Sequence, residues 1–303
     1  MHSRLPGFSR AVISLVMVAA ATFYWGVPVH LMGLVKILGR SRGFKDRCTR
    51  IIVNAVDHWI RSILLIMRTW IPIRWRVRGT EGLLRNESCI VSSNHQTWAD
   101  IPVLLHVFTG RIPFFRIFVK EEILWLPIIG TSLLALDYPV MKRYSRDYLK
   151  QHPEKKGRDM ETTRRMCRRY RSVPVSILIF AEGTRFRWVK HARQNSPYRH
   201  LLKPRAGGLA YAVTAMEGRI RKLLDVTILY ARPKPRFWDF LCGRIPEVEV
   251  QVRPIDIPEH LLSGDYAGDD AYRTGLQSWL QGIWAEKDEL IDRGLIAPEI
   301  SPS

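Results

Sequence analysis

From Ala11 to Val35 the chain runs for 25 residues without a charged side chain, AVISLVMVAAATFYWGVPVHLMGLV. A helix needs roughly 20 such residues to cross the hydrocarbon core of a bilayer, so this run is long enough to span one. Tyr24, Trp25, Pro28 and His30 interrupt it, which leaves a kinked or shallowly inserted helix open. A cleaved leader is the rival reading. The run exceeds the apolar stretch of a typical leader, however, and no small-x-small cleavage site precedes a polar start. Lys36, Arg40, Arg42, Lys45, Arg47 and Arg50 follow the run, against only Arg4 and Arg10 before it. Because cytoplasmic flanks collect Lys and Arg, the rest of the chain is expected on the cytoplasmic side.

A second apolar stretch, residues 50–71, is of another kind. Arg50, Asn54, Asp57, Arg61 and Arg68 recur at spacings of four, three, four and seven, one polar stripe on a helix. That much charge makes a full span expensive. An amphipathic helix lying in the membrane interface fits better, with an ordinary core helix as the plainer alternative. Residues 1–72 are therefore expected to form a membrane segment, 73–296 a globular domain and 297–303 a frayed tail.

The formal net charge of +19 over 303 residues demands an anionic partner: nucleic acid, an acidic membrane surface or a phosphate-bearing substrate. The basic tract of Lys142, Arg143 and Arg146, then Lys155 to Arg171, contains no interleaved exposed aromatics of the nucleic-acid kind, so no nucleic acid is expected. Cys48, Cys89, Cys167 and Cys242 are scattered without a CxxC pair, which points to reduced, buried thiols and against a metal site.

Beyond Pro72 the pattern becomes α/β. Trp75 to Arg78 alternates like an edge strand, and Cys89 to Ser93 is a short apolar run ending in a polar turn. Phe115 to Val119 and Leu133 to Leu136 are further strand candidates. Residues 158–171 and 206–217 have helical spacing. Val175 to Phe180 is a continuous apolar run, as a buried strand requires, and Leu223 to Tyr230 reads as another buried strand. Val248, Val250 and Val252 alternate like a half-exposed strand, and Asp270 to Arg293 is helical. Strands alternating with helices predict an α/β sandwich on a largely parallel sheet, preceded by N-terminal membrane helices.

Two constellations carry chemistry. Asn94-His95-Gln96-Thr97-Trp98-Ala99-Asp100 follows the first buried strand. On a regular helix His95 and Asp100 lie roughly 140° apart, so they meet only if the segment is a turn entering a helix. A histidine held by a carboxylate is a prepared general base. A capped helix start with an incidental histidine is the alternative. Phe180-Ala181-Glu182-Gly183-Thr184-Arg185 ends the second buried strand. An Arg fork and a Thr hydroxyl suit a phosphate, although a glycine turn with a surface ion pair has the same composition.

Taken together, the two segments resemble the glycerolipid acyltransferases of the PlsC type, the lysophosphatidic acid acyltransferases. Asn94 to Asp100 is similar to their first block and Phe180 to Arg185 to their third. Val140-Met141-Lys142-Arg143 is similar to the second, and Leu223 to Tyr230 to the fourth. Two positions depart: Ala181 and Thr227 stand where the family usually has proline. The resemblance covers about residues 75–235, which makes 73–296 the catalytic domain.

The resemblance implies that His95 takes the proton of an acceptor hydroxyl as it attacks a thioester, with Asp100 orienting it. It also implies that Arg143, Glu182, Gly183, Thr184, Arg185 and Lys203 bind substrate. The implied partners are a lysophospholipid, acyl-CoA or acyl carrier protein, and an anionic membrane; no metal or other cofactor is implied. The implied location is a bacterial inner membrane with the catalytic side in the cytoplasm. Another lysophospholipid or glycerol 3-phosphate stays open as acceptor. A membrane-anchored basic scaffold is the reading from a different class.

Overall fold

The structure is a computed structural model that describes residues 6–117, 119–120, 124–125, 129–136, 138, 140–141, 174–231, 235–266 and 268–294. Arg143, Cys167, the expected helix at 158–171 and the tail from 297 lie outside the described residues. The chain divides into two compact units. One gathers Met1–Ile73, Ile117–Met166 and Phe237–Pro246; the other gathers Arg74–Arg116, Cys167–Arg236 and Glu247–Ser303.

In the first unit, helices α1 (Gly7–Leu38) and α2 (Arg42–Trp70) form a hairpin. Ser41 caps α2 by accepting the Phe44 N–H at 3.2 Å, satisfying one of the orphan donors of a helix start. Two indoles tie the helices: Trp25 Nε1 donates to Ser62 Oγ and Trp59 Nε1 to Thr22 Oγ1, both at 3.1 Å. Among the described residues α1 is the one helix long and apolar enough to cross a membrane. On α2 the polar stripe is outward, and Ile52, Val56, Ile60, Leu64 and Met67 are buried at spacings of four, four, four and three. Both helices exceed the stretches read from the sequence, α1 extending beyond 11–35 at both ends and α2 starting at Arg42 rather than near residue 50.

One strand expectation fails here. Leu133 to Leu136 lies not in a strand but in and just after helix α4 (Ile129–Ala135), which packs on α1. His30 Nε2 meets Thr131 Oγ1 at 2.6 Å, and Lys36 Nζ donates to the Ala135 carbonyl at 3.0 Å. Four apolar residues carry no period that separates strand from helix, and packing decides. The expected strand at 115–119 holds two short ones in different sheets. They are β3 (Phe115–Ile117) and β4 (Val119–Lys120), the latter parallel to β5 (Val140–Met141).

The second unit is built on a six-stranded sheet. Its strands are β1 (Arg74–Arg78), β2 (Cys89–Ser93), β3, β6 (Ser176–Phe180), β7 (Lys222–Tyr230) and β8 (Glu247–Asp256), in the order β1-β8-β7-β2-β6-β3. β2 runs parallel to both β6 and β7, while β8 is antiparallel to β7 and parallel to β1. The largely parallel sheet expected from the sequence is thus present, with β1 at its edge. β2 is buried along its whole length, as a strand enclosed on both faces must be. Helices α3 (Asp100–Phe108), α5 (Trp188–Gln194), α6 (Gly207–Ala215) and α8 (Asp270–Asp292) belong to this unit, and α7 (Phe237–Leu241) to the other.

The buried face of α8 carries Leu276, Leu280, Ile283, Trp284 and one cation, Lys287, which has no exposure to water. Lys287 Nζ lies 2.7 Å from Asp225 Oδ1 and donates to the Val226 carbonyl at 2.6 Å. Arg253 binds the other oxygen of Asp225 at 2.7 Å. Burial lowers the lysine's proton affinity, and Asp225 opposes the shift. Removing one member of such a pair strands a buried charge, so Lys287→Ala should destabilise the protein by about 3–5 kcal/mol. The triple variant Lys287→Met, Asp225→Leu, Arg253→Met, which leaves no member of the cluster charged, should recover most of that loss, as followed by tryptophan fluorescence during denaturation in detergent micelles.

Candidate active site

β2, β6 and β7 run in parallel, so their C-terminal ends meet at one edge of the sheet, where open α/β folds place functional residues. The register pairs Ser93 with Phe180 and with Val226. The segment after β2 therefore starts beside the segment after β6.

Asn94 ends β2 without breaking its ladder. Its Oδ1 accepts the Ile228 N–H at 2.8 Å and its Nδ2 donates to the Ile228 carbonyl at 3.0 Å. The side-chain amide thus stands in for a peptide unit and frees the main chain to turn. α3 begins at Asp100, so residues 95–99 form the turn that the His-x4-Asp spacing requires.

His95 Nδ1 lies 2.7 Å from Asp100 Oδ2. The same oxygen accepts the Gln96 and Thr97 N–H groups at 2.6 and 3.0 Å, and Oδ1 accepts the Tyr230 hydroxyl at 2.6 Å. Four donors compensate a carboxylate that is fully shielded from water. A carboxylate acceptor fixes the proton on Nδ1, which leaves the Nε2 lone pair to take a proton. The imidazole stacks on Phe180 with ring centres 4.0 Å apart. Burial and the Asp100 charge push the Tyr230 phenol well above its ordinary range, so it stays a donor.

Glu182 is buried, and both its oxygens are occupied: Oε1 accepts the His95 N–H at 2.9 Å and Oε2 the Leu202 N–H at 3.0 Å. These main-chain bonds stand where the sequence suggests a substrate contact. Burial raises Glu182 to about 7, against the pull of those two amides and of Lys287. Gly183 makes the turn at a φ of +69°, a region glycine enters without strain. Arg185 is exposed, its guanidinium 4.8 Å above the Trp98 ring. Lys190 donates to the Thr184 hydroxyl. The Phe186 N–H returns to the His95 carbonyl at 2.7 Å, and the Arg205 N–H to that of Ala181 at 2.8 Å. The loop carrying exposed Lys203 is thereby fastened beside Glu182.

The structure therefore gathers His95, Asp100, Glu182, Gly183, Thr184, Arg185 and the Lys203 loop in one unit. Sequence reasoning did not single out the roles of Asn94, Phe180, Lys190, Tyr230 and Lys287. A usable signal existed for Lys287, one cation in phase with the apolar face of α8. None of their contacts across elements shows in spacing.

A family model described as Acyltransferase matches residues 74–230. The chain belongs to that acyltransferase family. An uncharacterized acyltransferase of Schizosaccharomyces pombe is 26% identical over 68% of this chain and 59% of its own length. 1-Acyl-sn-glycerol-3-phosphate acyltransferase 3 of Arabidopsis thaliana is 26% identical over 88% of this chain and 70% of its own. Among solved structures, the 1-acyl-sn-glycerophosphate acyltransferase PlsC of Thermotoga maritima is 20% identical, with 92% of this chain and 98% of that one covered and a TM-score of 0.47.

Tyr230→Phe deletes one of four bonds to Asp100 while leaving the ring packing in place. Losing about 1.4 kcal/mol of support for the charged dyad corresponds to roughly tenfold in rate. Turnover should fall by that factor in initial-rate assays of acyl transfer, with KM for both substrates unchanged.

Glu182→Gln sets an amide NH2 against one of two backbone N–H donors and should cost about 1–3 kcal/mol. Because the folded protein holds the Glu182 proton up to about 7, against an ordinary 4.5, this stabilisation is complete below 4.5 and is lost as pH rises through about 7. The stability gap between wild type and Glu182→Gln should therefore narrow across that window in denaturation curves taken at stepped pH.

Proposed function

We propose that this chain is a membrane-bound O-acyltransferase that moves a fatty acyl group from a thioester, acyl-CoA or acyl carrier protein, onto the free hydroxyl of lysophosphatidic acid to give phosphatidic acid. The observation that carries this reading is the 2.7 Å bond between His95 Nδ1 and the fully buried Asp100 carboxylate. A base prepared in this way suits a hydroxyl acceptor, which is too weak a nucleophile unless its proton is removed during attack. The Arabidopsis relative is named for the same acceptor.

In this mechanism His95 Nε2 takes the hydroxyl proton while the hydroxyl oxygen forms a bond to the thioester carbonyl carbon. Asp100 stabilises the resulting imidazolium. The tetrahedral centre then collapses, the carbon–sulfur bond breaks and the proton passes from His95 to the departing sulfur as a thiol. No acyl-enzyme forms, and no metal or further cofactor takes part. A positioned base contributes roughly 10²- to 10⁴-fold, and holding both substrates in register supplies much of the rest.

Arg185, Thr184 and Lys203, with Arg143, bind the acceptor phosphate. Glu182 and Gly183 shape the turn that presents them. Residues 1–72 are the membrane segment, α1 its anchor and α2 an interfacial element, and 73–296 the catalytic domain on the cytoplasmic face of a bacterial inner membrane. The basic flank after α1 supports that orientation.

Purified protein with labelled acyl-CoA and a panel of lysophospholipids, read by chromatography, tests the reaction and the acceptor. His95→Ala should lower transfer by about 10²-fold or more while leaving the fold intact. Arg185→Ala should raise the KM of the acceptor and leave that of the thioester nearly unchanged. Transfer by His95→Ala within a few-fold of wild type would reject the mechanism, and a preference for another acceptor would reassign the substrate.

A further inference from the structure

The stretch from Gly183 to Arg205 contains no acidic residue. Arg185, Arg187, Arg193, Lys203 and Arg205 are exposed along it, and Lys190 is half-buried. Set among these cations are apolar side chains that a water-facing surface does not favour. Trp98 is 60% exposed, Trp188 50% and Val189 80%. The group is joined at close range: Arg185 lies over Trp98, and Phe186 packs edge-on against Trp188 with ring centres 5.1 Å apart. It is also fastened to the base, since the Phe186 N–H donates to the His95 carbonyl.

We propose that Trp98 and the Gly183–Arg205 stretch form a second membrane contact, a rim beside His95 that seats the catalytic unit on an anionic bilayer surface. Tryptophan beside Arg and Lys is the composition of the water–lipid interface, where the indole body is apolar and its edge wet. The exposed Arg185, Arg187, Arg193, Lys203 and Arg205 complement acidic headgroups, while Arg199 and His200 of the same stretch are tied to Asp288 and Asp292 of α8. An acidic protein would satisfy the cations but would leave Trp188 and Val189 without apolar cover, and lipid satisfies both. For the reaction proposed above, such a rim lets a single-chain acceptor reach His95 while its tail stays in the bilayer. The docking itself does not depend on that reading.

The test uses the full chain in lipid nanodiscs, with a nitroxide on Val189→Cys. The background is Cys167→Ser, because Cys48, Cys89 and Cys242 are buried. A control label replaces Glu81, which lies beside the starts of β2 and β7, away from His95. In discs containing phosphatidylglycerol, the label at 189 should favour collision with oxygen over a water-soluble nickel chelate, and the label at 81 should show the reverse. Aqueous behaviour at 189 equal to that at 81 would overturn the rim. So would immobilisation of the label by acyl carrier protein but not by lipid, which would identify a protein-docking face instead.

A second arm measures rates. Val189→Asp should raise the KM for a vesicle-borne acceptor by about fivefold or more, given the cost of a charge in the interface, and leave that for a short-chain soluble acceptor unchanged. Equal effects on both acceptors would also overturn the proposal. Wild type that transfers no acyl group would reject the proposed reaction and leave the spin-label result standing.

Discussion

A carboxylate shut away from water must collect hydrogen bonds or give up its charge. Asp100 collects four, and each donor comes from a place that would otherwise be free to move. The Gln96 and Thr97 amides hold the turn, the His95 ring is aimed by its Nδ1 bond, and the Tyr230 hydroxyl ties the assembly to the end of β7. One side chain thus sets the turn and the tautomer of His95 and joins the start of α3 to the end of β7. A carboxylate placed one residue earlier or later would face another way around the first turn of α3 and lose the shared oxygen.

The parallel direction of β2, β6 and β7 makes this arrangement economical. Each strand delivers its last residues to the same edge, so segments that long crossovers separate in the chain become neighbours in space. Asn94 copies a peptide unit onto Ile228. Glu182, at the end of β6, holds the His95 amide with one oxygen and the Leu202 amide with the other. Behind them Asp225 and Lys287 repeat the pattern in the core, an ion pair whose cation also bonds to a strand carbonyl. Charge inside this unit is spent on fixing backbone.

Much of this was legible in the sequence where a period or a spacing recorded it. Cys89 to Ser93 and Leu223 to Tyr230 are short apolar-rich segments bounded by polar turns, which favours buried strands, and β8 shows its half-exposure in alternating valines. The His95–Asp100 interval already required a turn into a helix. Leu133 to Leu136 was misread because a four-residue apolar run is the same pattern in either element until a neighbour such as α1 decides. Asp225 and Lys287 were readable as anomalies, charges within buried periodic segments, but their pairing was not. Tyr230 and Asn94 bond to partners 130 and 134 residues away, which no local pattern announces.

The segment Phe180 to Arg185 shows why a sequence block is not one functional unit. Read as a string, its polar residues look like equivalent ligands for a phosphate. In the fold they divide at Gly183, whose left-handed backbone turns the chain over. Before it, Phe180 lies under the His95 ring and Glu182 is consumed by main-chain amides, so both support His95 from inside. After it, Thr184 is half-buried and Arg185 is exposed. The inner residues work at low dielectric, where losing one disturbs the turn itself. The outer ones sit near water, where their attraction for an anion is screened by salt and their removal leaves the scaffold standing. Inner support for His95 and an outward-facing arginine are thus separated within six residues.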